Sequence, residues 1–419
     1  METEIIQKKE IKRDPKLRFR EFEQKWHFQK LSELLTFKNG LNSEKEKYGT
    51  GVKFINVLDI INNDFITYDK IQGSVEVNEK EFEKNKVSYG DILFQRSSET
   101  REEVGQANVY LDEKYNAVFG GFVIRGKGKT EYSPRFMNYL LKTSSARKEI
   151  TTKSGGSTRY NVGQETLSNV YITTTTLPEQ QKIAFFLSEV DKKIQQLTRK
   201  KELLETYKKG VIQQLFSQQL RFKPALSEAE GDENGKDFPD WEEKKLKEVC
   251  TVNPKNSELP ETFIYIDLES VNSGRLIKEN RISSIEAPSR AQRVLEENDI
   301  LFQTVRPYQM NNLFFDKKGD YIASTGYAQL RVTENPMFLF QLIHSEEFVN
   351  KVLKRCTGTS YPAINSNDLA KIKVFVPTSN EQQKIAKFLS KIDIKIEAVS
   401  QQITKTQSFK KGLLQQMFV

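Results

Sequence analysis

Cysteine and histidine are almost absent from this chain of 419 residues: Cys250, Cys356, His27 and His344 are the whole complement. That leaves no disulfide framework and no Cys/His metal cluster, so a secreted, stapled fold and a zinc module are excluded. No apolar run approaches the ~20 residues of a membrane-spanning helix. The opening METEIIQKKEIKR is too charged for the apolar core of a signal peptide. These absences predict a soluble, cytoplasmic protein. Catalytic signatures are missing too, with neither a P-loop nor a GxSxG turn present. Asn335-Pro336-Met337-Phe338 lacks the second proline of the amino-methyltransferase motif it approaches, and no glycine-rich cofactor loop follows a strand; a helix N-cap explains it better. Pro239-Asp240 with Glu242-Glu243-Lys244 has the letters of a metal-dependent nuclease, but its acids lie too close together to sit on separate strands. His27 and His344 lack repeat partners and read as structural or surface residues. No catalytic constellation is left.

What is present is duplication. The stretches Glu179–Phe216 and Glu381–Phe418, 202 residues apart, share 18 of 38 positions without a gap, from EQQKIA to KKG-x-x-QQ-x-F. Ser133-Pro134 and Asn335-Pro336 keep the offset of 202, each reading as N-cap and first helical residue. GDILFQR from Gly90 and NDILFQT from Asn298 are 208 apart, and Trp26 and Trp241 are 215 apart, so the first copy carries 13 extra residues, all before Ser133. Each copy thus has a variable front and a fixed back.

The fixed backs predict two helices of about 38 residues, each ~57 Å long. Pro178 and Pro377 precede their starts, with Ser379 or Asn380 as a cap for the second. Leu187, Val190, Ile194, Leu197, Leu204 and Val211 follow heptad spacing, as do Leu389, Ile392, Ile396, Val399, Ile403 and Leu413. A lone seam of this kind would mean a dimerising coiled coil. Two in one chain make each other the economical partner, as an antiparallel pair with a pseudo-twofold axis and the fronts at opposite ends. Lys201, Lys208 and Lys410 interrupt the seams, which either open there or turn the lysines toward partners. The fronts, Trp26–Leu177 and Trp241–Val376, read as mixed and mostly β, with one helix after Pro134 or Pro336. The fold class is therefore α+β. Its boundaries are an N-terminal arm and first front at 1–178, a helix at 179–220, a solvated linker at 221–240 rich in acids, a second front at 241–378 and a helix at 379–419.

Two loops in each front are candidates for nucleic-acid contact. KSGGSTRYN offers Lys153, Ser157, Thr158, Arg159 and Tyr160; its counterpart RCTGTSYPAIN offers Thr359, Ser360 and Tyr361. Small residues let backbone N–H groups approach phosphate, and an arginine or ring then reaches a base. An ordinary helix-to-strand turn accounts for these loops equally well. The segment after the DILFQ strand carries Arg96 in the first front and Arg306, Tyr308, Gln309 and Asn311 in the second, residue types that read base edges. A polar hairpin tip is the plainer reading. The basic excess, 65 Lys+Arg against 57 Asp+Glu, suits a nucleic-acid partner without demanding one. Its +8 lies almost wholly on the two helices, which carry +3 and +4.

The doubled EQQKIA helix, the KKG-x-x-QQ-x-F ending, the G-[ST]-[TS] loop and the DILF strand resemble the specificity (S) subunit of type I restriction-modification systems, over essentially the whole chain. The resemblance implies that each front is a target recognition domain reading one half of a split, asymmetric DNA site, with the helices as an antiparallel coiled-coil spacer. It implies no catalysis and no cofactor on this chain. Two modification subunits carrying S-adenosylmethionine would dock on it to methylate adenines, and restriction subunits would bring ATP- and Mg-dependent translocation and cleavage. Two other readings stay open here: a self-contained methyltransferase-nuclease, and a coiled-coil adaptor with protein-binding heads.

Overall fold

The two predicted helices form, as Leu177–Phe216 and Ser379–Met417. Each begins two residues before its EQQKIA segment. Pro178 falls in the first turn, where a missing N–H costs no helical bond. Ser379 and Asn380, expected as caps, lie inside the second helix; the carbonyls of Thr176 and Thr378 accept the N–H of Gln180 and Gln382 at 2.9 Å each. The computed structural model describes residues 14–224, 237–255 and 258–419. Most of the expected linker, 225–236, lies outside the described residues. Its described flanks are packed rather than solvated: Phe238 is buried, and Arg221 donates to the carbonyls of Phe238 and Pro239.

The chain divides into two units, residues 1–196 with 402–419 and residues 197–401. The division passes through both helices, so each unit holds one front and a part of each helix. Within each unit the helix parts run antiparallel. In the first, Asp191 pairs with Lys410 at 2.5 Å, while Trp26, bonded to Glu179 near the first helix start, packs on Phe418 just past the end of the second. In the second, Lys208 pairs with Asp393 at 2.6 Å, and Trp241, bonded to Glu381, packs on Phe216. All four ion-paired residues obey the 202-residue repeat.

Heptad spacing puts the apolar positions on one helix face, and that face is covered. Leu187, Leu197, Val211, Leu389, Ile392, Ile396, Val399 and Leu413 are buried; Val190, Ile194, Leu204 and Ile403 are partly so. The lysines correct the expectation that the seams open or that these side chains face partners. Lys208 and Lys410 are partly buried, and each reaches an aspartate of the other helix. Lys201 pairs with Glu205 of its own helix at 3.7 Å.

Each front is built on a four-stranded antiparallel sheet with the DILFQ strand inside. In the first unit the order is Leu35–Asn39, Val123–Gly128, Ile92–Gln95, Ala107–Val109; in the second it is Cys250–Val252, Tyr327–Val332, Ile300–Gln303, Leu313–Phe314. The ILFQ strand of each sheet is buried along its whole length, as its apolar run requires, because a second layer covers the other side. That layer differs. It is a three-stranded sheet (Gly73–Val75, Tyr48–Ile55, Val118–Phe119) in the first unit and four-stranded (Asn280–Ser283, Thr262–Ile266, Tyr321–Ser324, Ala291–Val294) in the second. Where one helix was expected after Pro134 and Pro336 there are two in each unit, Pro134–Leu141 with Ser144–Thr152 and Pro336–Leu342 with Glu346–Leu353. Thr143 and Ser345 break the helix by capping the next one, each hydroxyl accepting a backbone N–H three residues on.

A clasp closes each unit. In the first, the Glu179 carboxylate, fully buried, receives Arg18 Nε at 2.7 Å, Arg18 Nη2 at 2.8 Å, Trp26 Nε1 at 3.4 Å and the Thr175 hydroxyl. Burial opposes the charged form, but these hydrogen bonds and the Arg18 charge outweigh it and hold the carboxyl below its usual pKa. In the second, Glu381 receives Arg221 Nε at 3.2 Å and Nη2 at 2.7 Å with Trp241 Nε1 at 3.1 Å. Arg18 and Arg221 belong to a tripeptide that sequence inspection overlooked: Leu17-Arg18-Phe19 and Leu220-Arg221-Phe222. Leu220 N–H bonds the carbonyl of Gln214 near the end of the first helix, and Leu17 N–H bonds that of Gln416, its counterpart on the second helix. Phe19 packs edge-on to Phe186, as Phe222 does to Phe388. The arm expected at the N-terminus is thus a built part of the repeat.

Candidate nucleic-acid interface

The two candidate loops of each front meet. The chain leaving the DILFQ strand pairs with the chain leaving the glycine-containing loop: Ser97–Ser98 with Tyr160–Asn161 in the first unit, Val305 with Ala363 in the second. Val162 N–H bonds the Arg96 carbonyl at 2.9 Å, and Ile364 N–H bonds the Thr304 carbonyl at 3.0 Å. Both loops close on themselves, through Gly155 with Asn161 and Thr357 with Ala363. Gly156 (φ +111°) and Gly358 (φ +89°) make the turn in a conformation that L side chains rarely adopt; a Cβ on Gly156 would lie 2.1 Å from the Arg159 carbonyl.

A glutamine sets this frame in both units. Gln95 Nε2 donates to the Ser97 carbonyl at 2.9 Å, and Gln303 Nε2 to the Val305 carbonyl at 2.7 Å. Gln303 is tied further. Its N–H donates to Asn312 Oδ1 at 2.9 Å, and Asn312 Nδ2 meets His344 Nε2 at 3.3 Å. His344 Nδ1 lies 2.7 Å from the Phe340 carbonyl, which requires the proton on Nδ1 and leaves Nε2 to accept. Burial holds the imidazole pKa below its ordinary value, in keeping with that neutral form. His344 is therefore structural, as expected. Sequence inspection missed the two glutamines as positioning residues, although both stand in the shared ILFQ segment.

The frame sorts the candidates. Ser157, Thr158 and Arg159 are exposed at the tip of the first loop, and Thr359, Ser360 and Tyr361 at that of the second. Arg96 is exposed beside the first tip, with Nη1 donating to the Gly121 carbonyl at 3.3 Å. Tyr308 and Gln309 are exposed beside the second, Gln309 accepting from Gln303 at 3.0 Å. Three other candidates are partly buried and have partners within the fold. Lys153 pairs with Glu149 at 3.0 Å and lies over the Tyr171 ring, so its charge is spent inside the fold. Tyr160 packs against the core of its unit. Asn311 donates to the Val271 carbonyl at 2.7 Å and accepts from Gly274 N–H, fastening a neighbouring turn.

The two frames share their backbone bonds and differ in their side chains. At the 202 and 208 offsets, Arg159 corresponds to Tyr361, Arg96 to Thr304 and Ser98 to Arg306. Residues 23–206 and 239–406 each match the type I restriction modification DNA specificity domain. The chain belongs to the type I restriction-modification DNA specificity family. This specificity subunit is 24% identical over 411 residues to the putative type I restriction enzyme MjaX specificity subunit of Methanocaldococcus jannaschii, spanning 94% of this chain and 93% of that one. It is 26% identical over 300 residues to the MjaVIII specificity subunit of the same organism, covering 67% and 68% of the two chains. Its fold is similar to that of the type I restriction-modification S subunit from M. genitalium, at a TM-score of 0.57 and 18% identity, over 97% of this chain and 99% of that one. No described helix of the specificity subunit is long and apolar enough to cross a membrane.

Proposed function

We propose that this specificity subunit reads a bipartite, asymmetric duplex site, with each unit reading one half through the edge formed by its two meeting loops. One observation carries this reading: the loop closure and the bond that joins the two loops recur in both units, Val162 N–H to Arg96 and Ile364 N–H to Thr304, while the exposed side chains upon them differ. A shared frame presenting unlike side chains suits two readers of unlike sequences, whereas identical edges would suit a palindrome. The chain itself is non-catalytic and binds no cofactor. Two modification subunits dock on it and supply S-adenosylmethionine for adenine methylation; restriction subunits supply ATP- and Mg-dependent cleavage. The complex acts in the cytoplasm.

Base-resolved methylation mapping of cells with and without the gene tests this directly. The expected result is loss of adenine methylation at one bipartite motif with unlike halves. An unchanged methylome, a palindromic motif, or methylation by the purified chain alone with S-adenosylmethionine would overturn it. Docking on the helix pair is tested separately by Leu204→Asp, which should impair recovery of the modification subunits on gel filtration.

A further inference from the structure

We infer that Arg306 reads a guanine in the half-site of the second unit, held in reading position by the ring of Tyr361; this rests on the DNA-reading role proposed above. The Arg306 guanidinium carbon lies 4.2 Å from the centroid of the Tyr361 ring. The ring fixes the cation by its quadrupole, yet Tyr361 is itself 63% exposed. Among the described residues the guanidinium makes no hydrogen bond or ion pair, so its fork of five N–H donors is held in place but unspent.

The backbone points the same way. Arg306 sits at φ 54° and ψ 53°, directly before Pro307. A non-glycine residue avoids the left-handed region, and a residue before proline avoids helical conformations. Three contacts impose the conformation: Arg306 N–H to the Pro362 carbonyl at 2.7 Å, Gln303 Nε2 to the Val305 carbonyl, and Gln303 Nε2 to Gln309 Oε1. Strain held by surrounding bonds in this way is characteristic of functional positions.

A fixed planar fork with free donors matches the O6 and N7 acceptors of guanine in the major groove, two acceptors side by side that no other base offers there. A phosphate contact would need the charge but neither the ring nor the strained turn. The first unit has no equivalent. Ser98 stands at the position of Arg306, buried and bonded to Glu103 at 3.1 Å, and Arg159 replaces the ring. Guanine reading at this position is therefore a property of the second half-site alone.

The test is selection from a randomised duplex library, at two salt concentrations, by the full chain assembled with its modification subunits. Wild type, Arg306→Lys, Tyr361→Phe and Tyr361→Leu are compared. The lysine variant keeps the charge and loses the fork. It is expected to lower the preference at one guanine roughly tenfold to a hundredfold, with every other position and the salt slope unchanged. Tyr361→Phe retains the preference and Tyr361→Leu loses part of it. The inference is overturned by a selected site with no guanine in the half read by the second unit, by full retention of specificity in Arg306→Lys, or by that variant weakening binding equally on all sequences. A wild-type complex without any sequence preference would instead sink the DNA-reading role itself, whereas a bipartite site indifferent to Arg306→Lys sinks only the guanine assignment.

Discussion

The two edges proposed to read DNA share a frame and differ in the side chains set upon it. In the second unit the arginine is clamped on a ring over a strained turn; in the first, Arg159 is exposed at the loop tip and Ser98 is buried and bonded to Glu103. The frames beneath them agree down to the glutamine that fastens each one. Under the proposed role, sequence choice rests on a few exposed side chains, which suits fronts that diverge more than the helices do. A change in an exposed tip alters what is read, whereas a change in a shared bond alters whether the edge exists.

That comparison can be broken at several levels. The largest expected effect is in the aromatic triads, Trp26 with Phe136 and Phe418 against Trp241 with Phe338 and Phe216. Phe418→Ala should destabilise the first unit by about 3–5 kcal/mol and Phe216→Ala the second by a similar amount. Each unit holds one of the chain's two tryptophans, so denaturation of Trp26→Phe and Trp241→Phe backgrounds reports the units separately; equal effects of either alanine on both reporters would refute the division. Next come the clasps. Arg18→Met and Arg221→Met each strand a fully buried glutamate and should cost about 2–3 kcal/mol in their own unit. A cost at only one site would mean that the two clasps are not equivalent.

The loops should separate more finely. Gly156→Ala meets the Arg159 carbonyl at 2.1 Å, while Gly358→Ala meets that of Tyr361 at 3.2 Å. The first should cost about 2 kcal/mol and the second about 1 kcal/mol, with loss of preference confined to the matching half-site in a binding selection. An effect of similar size to that of Gly358→Ala is expected from pH. His344 stays neutral in the fold while the unfolded chain takes up its proton near pH 6.5. As pH falls below that value the unfolded state binds more protons, and the second unit loses up to about 1.4 kcal/mol per pH unit until the folded imidazole also titrates. The first unit has Lys142 at that position. Between pH 7 and 5.5 the Trp241 reporter should therefore lose stability and the Trp26 reporter should not.

Much of this molecule was legible from its letters, because duplication writes the same physics twice. The heptad seams, the capped helix starts at Ser133 and Asn335 and the meeting of helix with helix follow from local pattern. The crossing pairs Lys208–Asp393 and Lys410–Asp191 were not legible, since a charge within a seam looks like a fault until its partner from the other helix is placed beside it. The split at Thr143 and Ser345 was hidden because apolar spacing continues across the cap. At the site, exposed tips were found by residue type, but Lys153, Tyr160 and Asn311 have the same chemistry as a DNA contact and are consumed by neighbours that only folding supplies. The Leu-Arg-Phe tripeptide was visible and too short to be noticed without the clasp that gives it meaning.

The division of the units has a consequence for biosynthesis. The second unit is one uninterrupted stretch, residues 197–401, whereas the first needs residues 402–419, which are made after the whole of the second unit. Until then Trp26, Phe136 and Leu187 lack Leu413, Met417 and Phe418 as cover. The half made first is thus the last to be finished, and throughout elongation it presents an unfilled apolar socket to any chaperone or nascent neighbour. Synthesis of residues 402–419, rather than of the front, sets the moment at which the first unit can close its core.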